Sequence, residues 1–432
     1  MEKTGNQKIL IITYYWPPAG GPGVQRWLKF CNYLPEFNIY PIILTADPDS
    51  ASYQVKDTSL IEEAKHIETY RTKTFEPFEL FKELTGKKSL PVGGLESDNK
   101  SIFKKTVNFI RGNFFIPDPR RGWNRTALKK AGELINKYKI KTIITSSPPH
   151  SSQLIGLKLK KKFNIRWIAD LRDPWTDIYY YNQFLHTSLA RTIDKTYERK
   201  VLENSDYIIT VSNSVKNYFT EKTSKLKADK IRVIPNGYDD RDFSRTFPDF
   251  SSDLFFITYT GTITALYGIN VAIDALSELK DEFPGLRLRF VGTVDNDIKK
   301  IVTEKGIEAI TEYISYVPHM KSVELLHEAT LLLLCIPDMK KNEGILTGKL
   351  FEYLAAEKPV LCIGPVNGDA AKIISECEAG KTFGYKDLTG VVNFLKEIIN
   401  KRQIRNQKNQ NYKKYSRKKL TEELVEIIKN SN

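Results

Sequence analysis

The segment at residues 343–356, together with the apolar run at 358–364 that follows it, constrains the fold most strongly. A helical pattern that leads directly into a buried strand is typical of an α/β domain. The start of such a helix presents unpaired N–H groups and a partial positive charge, which suit a phosphate group. Lys349 at that start would hold phosphate, and Glu352 one turn further in would take ribose hydroxyls. The segment therefore predicts a site for a nucleotide-type ligand.

The alternative is that this helix serves only to pack the domain. Its apolar residues would then form a core face, while Glu343 and Lys349 would remain in solvent. The strand that follows directly favours the ligand-binding interpretation, because helix followed by buried strand indicates an α/β sheet rather than an isolated helix.

Length and charge limit the classes that remain. A chain of 432 residues that is 41% hydrophobic can bury a large core, and this length predicts two domains. A formal net charge of +14 favours acidic partners, namely nucleic acid, nucleotide ligands or an anionic membrane surface. Charge alone does not choose among these three.

The metal-binding and redox residues are sparse. The 4 cysteines lack paired spacing, which fits a reducing compartment and argues against a disulfide framework or a zinc site. The 5 histidines form no pair at i, i+4, so we expect no metal and no cofactor. The start of the chain is polar and the apolar runs are too short to span a bilayer. We expect a cytoplasmic protein, with a peripheral position on the inner face of the membrane as a further expectation.

The first half of the chain begins with a βαβ unit. Residues 9–13 and 39–45 have the pattern of buried strands, residues 24–34 that of a helix, and a glycine-rich turn containing Gly20 and Gly21 follows the first strand. Open parallel sheets bind ligands at the carboxyl ends of their strands, so this turn is a candidate site. The dinucleotide-binding fingerprint does not fit, because the turn has too many prolines.

Two further strands of this half, at 142–145 and 167–169, are each followed by a polar cluster. The second cluster contains Arg172 and Asp173. We expect both clusters to lie at the same edge as the glycine turn. The alternative for Arg172 is a structural ion pair with Asp170 or Asp173.

A second α/β series begins near residue 254, with strands predicted at 255–259, 286–291, 314–317 and 331–335. We therefore predict an α/β fold of two Rossmann-like, doubly wound domains that face each other across a cleft. The predicted domains are 1–245, 246–405 and a basic C-terminal helix at 406–432 that packs back on the first domain. Residues 75–108 have the composition of an insertion, either a helical hairpin over the core or a surface that touches lipid.

Taken in order, the motifs resemble those of glycosyltransferase family four, which has the GT-B fold, and the match is most similar to bacterial members that build surface polysaccharides. The resemblance covers nearly the whole chain. It rests on the order and spacing of AGG at 19–21, DLRDPW at 170–175, VSNS at 211–214, PNGYD at 235–239, GT at 261–262, VPH at 317–319 and residues 343–355.

The resemblance implies transfer of a sugar from a nucleoside diphosphate donor, by default a UDP-sugar, with retention of configuration and without an obligatory metal. It implies a glycan or polyprenyl-linked acceptor held by the first domain. The donor-binding residues it implies are Gly20, Gly21, Gly261, Thr262, Gly292, Val317, His319, Gly344, Leu350 and Glu352. The catalytic residues are Glu343, Lys349 and Asp173, and those on the acceptor side are Arg172, Arg121 and Trp123.

The chain departs from the family pattern at two places. The paired glutamates are usually eight positions apart, whereas Glu343 and Glu352 are nine apart, so either Glu343 or Gly344 takes the first position. The arginine and lysine that usually follow the first strand of the second domain are replaced here by Ile263 and Tyr267. Lys349, together with Arg26 or Arg172, is then expected to neutralise the diphosphate.

Two other functions remain as alternatives. A nucleotide-sugar epimerase would have the same fold, but the carboxylates and histidines that its chemistry needs are not evident. A nucleic-acid-binding protein would place basic residues among exposed aromatic residues on one face. Here the lysines are spread over the helices, so we expect no nucleic acid partner.

Overall fold

The computed structural model describes residues 7–53, 56–76, 102–244, 253–400 and 410–430. The chain divides into two compact units, Met1–Pro235 with Leu420–Asn432, and Asn236–Lys419. Most of the insertion predicted at 75–108 lies outside the described residues, as do residues 245–252 and 401–409 near the predicted domain limits. Each unit is an α/β domain with one parallel sheet.

The first unit alternates strands and helices. Its strands β1 to β7 are Gln7–Ile12, Ile39–Ala46, Thr69–Thr72, Thr142–Ser147, Arg166–Leu171, Tyr207–Thr210 and Ile231–Val233. Its helices α1 to α7 are Pro22–Tyr33, Ser59–Ala64, Ile102–Phe114, Asn124–Tyr138, Ser151–Lys162, Ser188–Asn204 and Asn213–Thr220. The strands form one parallel sheet in the order β3-β2-β1-β4-β5-β6-β7. From β1 the strands are added towards one edge of the sheet up to β3, and from β4 they are added towards the other edge. This reversal of strand order makes the sheet doubly wound.

Strand β1 shows why these strands have continuous apolar sequences. Leu10 and Ile12 contribute to one buried cluster, which contains Trp123, and Ile9 and Ile11 contribute to the other. Successive side chains of a strand point to opposite faces, so a strand covered on both faces needs apolar residues at every position. The last four residues of β1, at positions 9–12, satisfy this requirement.

The second unit repeats the design. Its strands β8 to β13 are Phe255–Thr260, Leu286–Val291, Thr311–Ile314, Leu331–Cys335, Val360–Ile363 and Gly380–Phe383, in the parallel order β10-β9-β8-β11-β12-β13. Its helices α8 to α14 are Asp240–Phe243, Asn270–Leu279, Asn296–Glu304, His319–Glu328, Gly348–Ala355, Asp369–Glu376 and Leu388–Asn400. Leu331 and Leu333 face one cluster, and Leu332 and Leu334 face the other. The prediction of two Rossmann-like α/β domains is confirmed.

The last helix, α15 (Arg417–Lys429), is amphipathic. Its apolar residues, which include Leu420 and Leu424, join the buried cluster that contains Ile9 and Trp27 of the first unit. In the described part of the chain, no helix has both the length and the apolar character needed to span a bilayer.

Candidate active site

Two glycines let the loops after β8 and β9 approach each other at the carboxyl edge of the second sheet. Gly261 has a φ of +90°, and a Cβ there would lie 2.8 Å from Cε of Lys349. Gly292 has a φ of +127°, and a Cβ there would lie 2.6 Å from the carbonyl oxygen of Gly261. A side chain at either position would therefore displace Lys349 or push the two loops apart.

Lys349 reaches this loop from the first turn of α12. Its Nζ donates to the hydroxyl oxygen of Tyr259 and lies 3.5 Å from the carbonyl oxygen of Thr262. The same atom lies 4.1 Å from the centroid of the Tyr259 ring and 5.7 Å from that of Tyr267. Within the described ranges, no carboxylate forms an ion pair with it. Its charge is therefore met by neutral oxygens and aromatic faces.

Burial lowers the pKa of Lys349 to about 8, against the opposing effects of Cys335 and Glu352. Desolvation disfavours the charged form of a lysine, and a bound anion favours it. A diphosphate next to Nζ would therefore hold the lysine in its charged form. This is the behaviour expected of a group that neutralises phosphate.

The start of α12 offers space and an unused hydroxyl. Thr347 is the N-cap residue, but its side chain does not cap the helix, and its Oγ1 lies buried without a hydrogen-bond partner among the described residues. A Cβ added to Gly348 would meet no atom within 4 Å. The side chain of Leu350 is fully buried, so this residue supports the site by packing. The open helix start suits an anionic group.

Glu352 is half-buried, one turn into α12. Burial raises the pKa of its carboxyl group, against opposing effects led by His319. His319 is the first residue of α11, and its Nε2 lies 3.0 Å from Oδ2 of Asp242. Val317 lies half-buried two residues earlier, in the loop after β10. Glu352 thus lies close enough to both His319 and Lys349 for their charges to lower its pKa against the effect of burial.

Glu343 lies in the loop before α12. Its side chain is exposed, and its carbonyl oxygen accepts a hydrogen bond from the amide of Asp369 at 2.8 Å. Gly344, the next residue, is buried. The loop backbone is therefore fixed to the start of α13, while the catalytic role of Glu343 stays a prediction.

In the first unit, the glycine turn lies against Arg172. Gly21, which follows the half-buried Gly20, is the N-cap residue of α1 and has a φ of +99°. A Cβ at Gly23 would lie 2.5 Å from Nη1 of Arg172, and Nε of Arg172 donates to the carbonyl oxygen of Ser147 at 3.0 Å. The turns after β1, β4 and β5 therefore meet at one edge of the sheet, as the sequence predicts.

Arg26 corrects one of the sequence-based expectations. Its side chain is buried, with Nη2 at 3.1 Å from Oδ1 of Asp170 and Nη1 donating to the carbonyl oxygen of Pro235 at 2.9 Å. Asp170 also accepts a hydrogen bond from Nε1 of Trp27 at 2.8 Å. The expectation that Arg26 binds phosphate is wrong, because it is held in a buried ion pair. Because Asp170 pairs with Arg26, the ion pair of Arg172 with Asp170 that the sequence allowed does not form. Arg172 lies instead at the edge of the sheet, beside the glycine turn.

The remaining predicted residues of the first unit differ in exposure. Asp173 is half-buried, and burial raises the pKa of its carboxyl group while Arg172 opposes the shift. Arg121 is exposed, and its Nη1 donates to the carbonyl oxygen of Ile116 at 2.9 Å. Trp123 is fully buried in the core and donates to Oγ1 of Thr72 at 2.8 Å. The structure therefore contradicts an acceptor contact for Trp123.

Comparison with known protein families gives one match in each half of the chain. The model described as Glycosyltransferase Family 4 matches residues 92–242, and the model described as Glycosyl transferases group 1 matches residues 240–419. The chain belongs to the family-four type of GT-B glycosyltransferase. The second match contains the loops and the helix that bring Gly261, Lys349 and Glu352 together.

Solved structures similar to this glycosyltransferase extend over its whole length. A glycosyltransferase from Rickettsia africae ESF-5 is 17% identical, with 99% of this chain and 100% of that chain covered and a TM-score of 0.64. Anabaena HepE in complex with UDP-glucose is 13% identical, with coverage of 98% and 99% and a TM-score of 0.62. WaaG, a glycosyltransferase involved in lipopolysaccharide biosynthesis, is 14% identical, with coverage of 98% and 100% and a TM-score of 0.58.

At these identities the solved structures establish the fold of the glycosyltransferase and leave its substrates open. A sequence search of curated proteins gives no match. The family membership leaves the alternative of a nucleic-acid-binding protein without support.

The role of Tyr259 is not evident from the sequence. Its ring is fully buried at the end of β8, and its hydroxyl group donates to the carbonyl oxygen of Thr262 at 2.9 Å while accepting from Lys349. In the sequence Tyr259 has the pattern of a core strand residue. Its place two residues before Gly261, at the carboxyl end of a strand, is the signal that could have identified it.

Proposed function

We propose that this glycosyltransferase moves a sugar from a nucleoside diphosphate donor to a glycan or lipid-linked acceptor in the synthesis of cell-surface polysaccharide. The observation that carries the proposal is Lys349, an ammonium group without a carboxylate partner in the described part of the chain, next to an open helix start. Glu352 lies one turn further along the same helix. These groups fit a diphosphate and a ribose, respectively.

The proposed reaction breaks the bond between C1 of the sugar and the oxygen of the diphosphate, and the bonding electrons stay with that oxygen. A hydroxyl oxygen of the acceptor forms the new bond to C1, and its proton goes to the departing phosphate. We propose that this exchange takes place on one face of the sugar, which retains the anomeric configuration. Lys349 and the start of α12 would stabilise the charge that grows on the leaving group.

The donor is a UDP-sugar in this proposal. The structures of Anabaena HepE include complexes with UDP and with UDP-glucose, and that of S. aureus MnaA contains UDP. WaaG and the galactosyltransferase WaaB belong to lipopolysaccharide synthesis. These likenesses support UDP and a surface polysaccharide as the first choices to test.

We propose that the reaction needs no metal ion or other cofactor. The positive charge that a metal would supply has a substitute in Lys349 and the helix start. Among the residues that the structure describes, no three His, Cys, Asp or Glu side chains are grouped to hold a metal ion. An excess of EDTA should leave turnover unchanged, and recovery of lost turnover by Mg²⁺ would contradict this proposal.

We also propose reversible binding to an anionic membrane surface. Five of the exposed large apolar side chains of the first unit lie on α3 or near the start of α6, and we call them the apolar patch: Phe109, Ile110, Phe114, Leu185 and Leu189. Asn113 of α3 donates to the carbonyl oxygen of Leu185 at 3.1 Å, so the two segments of the patch adjoin. The net charge of +14 favours anionic lipid.

The experiment that tests the proposed function is a donor screen. The purified chain is incubated with UDP-glucose, GDP-mannose and ADP-glucose, and the release of nucleotide is measured alongside Glu352→Gln. We expect slow hydrolysis of one donor and loss of that activity in the variant. The proposal fails if no nucleotide is released from any donor and calorimetry shows no binding of UDP, GDP or ADP. With an acceptor, NMR of the product anomer decides between retention and inversion.

A further inference from the structure

A cavity of about 270 Å³ lies in the first unit, beside the turn after β4 and the segment after β5. Aromatic rings and charged groups share its wall, which includes Arg111, Arg120, His150, Trp175, Phe184 and His186. None of these residues belongs to the predicted site. The cavity is at the small end of the range for ligand pockets, so it suits a single sugar ring with one substituent.

Two of the imidazole groups in the wall are stacked and neutral. His150 stacks on Trp175 with ring centroids 4.6 Å apart, and His186 stacks on Tyr181 at 4.2 Å. Burial lowers the pKa of both, that of His150 to about 3. Both Nδ1 atoms are buried without a hydrogen-bond partner in the described ranges. The wall therefore combines flat rings with unused polar atoms, which suits a sugar.

The carboxylates of the wall already have partners. Asp118 accepts from the amide and the hydroxyl group of Ser151 at 2.7 and 2.8 Å. Asp194 accepts from Nε1 of Trp175 at 2.8 Å and from the hydroxyl group of Tyr181 at 2.9 Å. These hydrogen bonds occupy the acidic groups within the protein.

The two arginines of the wall differ from each other. Arg120 is buried, and its Nη1 lies 3.4 Å from Oε2 of Glu76. Arg111 is half-buried, and its guanidinium lies 5.0 Å from the centroid of the Phe184 ring. Among the described residues, Arg111 forms no ion pair with a carboxylate. Asp118 acts on this guanidinium only from beyond ion-pair distance, and a half-buried guanidinium without a close counter-ion is costly unless a ligand supplies one.

We propose that this cavity binds the acceptor through an anionic substituent, a phosphate or a carboxylate, with Arg111 as its counter-ion and the aromatic wall against the adjoining sugar ring. The planar guanidinium fork fits either group by two parallel hydrogen bonds. The inference rests on the proposed function, because it names the chemical class of that enzyme's acceptor.

A structural role for Arg111 makes different predictions. Arg111 is in the last turn of α3, where a cation stabilises the helix dipole, and the Phe184 ring adds a cation–π contact. A residue with this role alone would affect melting temperature but would not distinguish anionic from neutral sugars. The experiment must therefore measure ligand preference.

The experiment is calorimetric titration of the full chain with glucose 1-phosphate, glucuronate and methyl glucoside. We expect at least one of the two anionic sugars to bind about tenfold or more tightly than the neutral one. Arg111→Gln should abolish that preference, and Arg111→Lys should keep part of it. Arg125→Gln, on an exposed position of α4, is the matched control and should keep all of it.

The outcomes separate this inference from the proposed function. Equal binding of anionic and neutral sugars, or an unchanged preference in a folded Arg111→Gln protein, overturns the inference. If that variant does not fold, failure of inorganic phosphate to weaken the binding of the anionic sugar to the wild-type chain overturns it instead. UDP binding is measured on the same samples and should be unchanged in the variants. Failure of the wild-type chain to bind any nucleotide overturns the proposed function alone.

Discussion

The ammonium group of Lys349 lies 4.1 Å from the centre of the Tyr259 ring and donates to the hydroxyl oxygen of that residue. Tyr259 in turn donates to the carbonyl oxygen of Thr262 at 2.9 Å. The tyrosine thus fixes the lysine beside the loop after β8 without neutralising it. A lysine positioned in this way can bind an anion, and this leads to two measurable predictions for Lys349 itself.

Lys349→Gln should lower kcat by a factor on the order of 10² to 10³, with a smaller change in donor affinity. The reason is that the charge it meets grows as the diphosphate leaves. The measurement is kcat at saturating donor. Lys300→Gln, at an exposed position of α10, is the control and should change nothing. A raised Michaelis constant with an intact kcat would show that Lys349 only anchors the ground state.

Affinity for UDP should fall as the pH rises through about 8. The pKa of Lys349 is about 8 because burial lowers it, so the free enzyme loses the ammonium charge above that pH. The phosphate group of UDP is fully ionised by then, since its last pKa is about 6. The dissociation constant is measured by calorimetry between pH 7.5 and 9.5. Lys349→Arg should remove the dependence, and an unchanged dependence in that variant would assign it to another group.

Glu352→Gln should keep the fold and weaken donor binding by about 1.5 to 3 kcal/mol, because a carboxylate makes stronger hydrogen bonds to ribose hydroxyls than an amide does. Calorimetry with the nucleotide and thermal melting give the two quantities. Glu304→Gln, at an exposed position of α10, is the matched control. Normal melting combined with unchanged affinity would refute the ribose contact.

The sequence predicts the central strands well and the edge strands β3, β10 and β13 badly. The strands predicted at 286–291 and 331–335 coincide with β9 and β11, because β11 is apolar at every position and β9 has apolar residues at 286, 288, 290 and 291. The strand predicted at 314–317 is wrong, since β10 is Thr311–Ile314. It lies at the edge of the sheet, where Glu312 and Tyr313 are exposed, so its apolar pattern is weak. The edge strands β3 and β13 were not predicted for the same reason.

In the candidate site, the residues that depend on neighbouring sequence could be predicted, and the contacts between residues far apart in the sequence could not. Lys349 and Glu352 could be identified because a helix start and a spacing of one turn are local properties of the sequence. The pairing of Arg26 with Asp170 could not, because 144 positions separate them and the sequence offered Arg172 as an equally plausible partner. The burial of Trp123 likewise depends on packing between distant elements.

Asp194→Asn should stabilise the fold more at pH 8 than at pH 5. Burial raises the pKa of Asp194 to about 7, against the opposing hydrogen bonds from Trp175 and Tyr181. An unfolded Asp titrates near pH 4, so stability present below that pH is lost as the pH rises through about 7. Asparagine does not ionise, so its effect on the free energy of unfolding should differ by up to about 2.6 kcal/mol between pH 5 and pH 8. Urea titrations at both pH values measure it.

The control for that experiment is Asp229→Asn, because Asp229 is exposed and should show no such difference. A stability change in Asp194→Asn that is equal at pH 5 and pH 8 would mean that Asp194 is ionised across this range.

The purified chain should cosediment with vesicles that contain anionic lipid, should not cosediment with neutral vesicles, and should be released by added salt. Each lysine or arginine near the lipid contributes about 1 kcal/mol, and each apolar side chain that enters the interface about 1.5 to 3 kcal/mol. Phe114 and Leu189 are 73% and 71% exposed in the apolar patch. Replacing both by serine should therefore weaken binding by about tenfold or more.

Tyr316→Ser removes an exposed ring from the second unit and should leave binding unchanged. Equal binding to neutral vesicles, or full binding by the double variant, would assign the patch a role other than membrane contact and would favour a soluble acceptor.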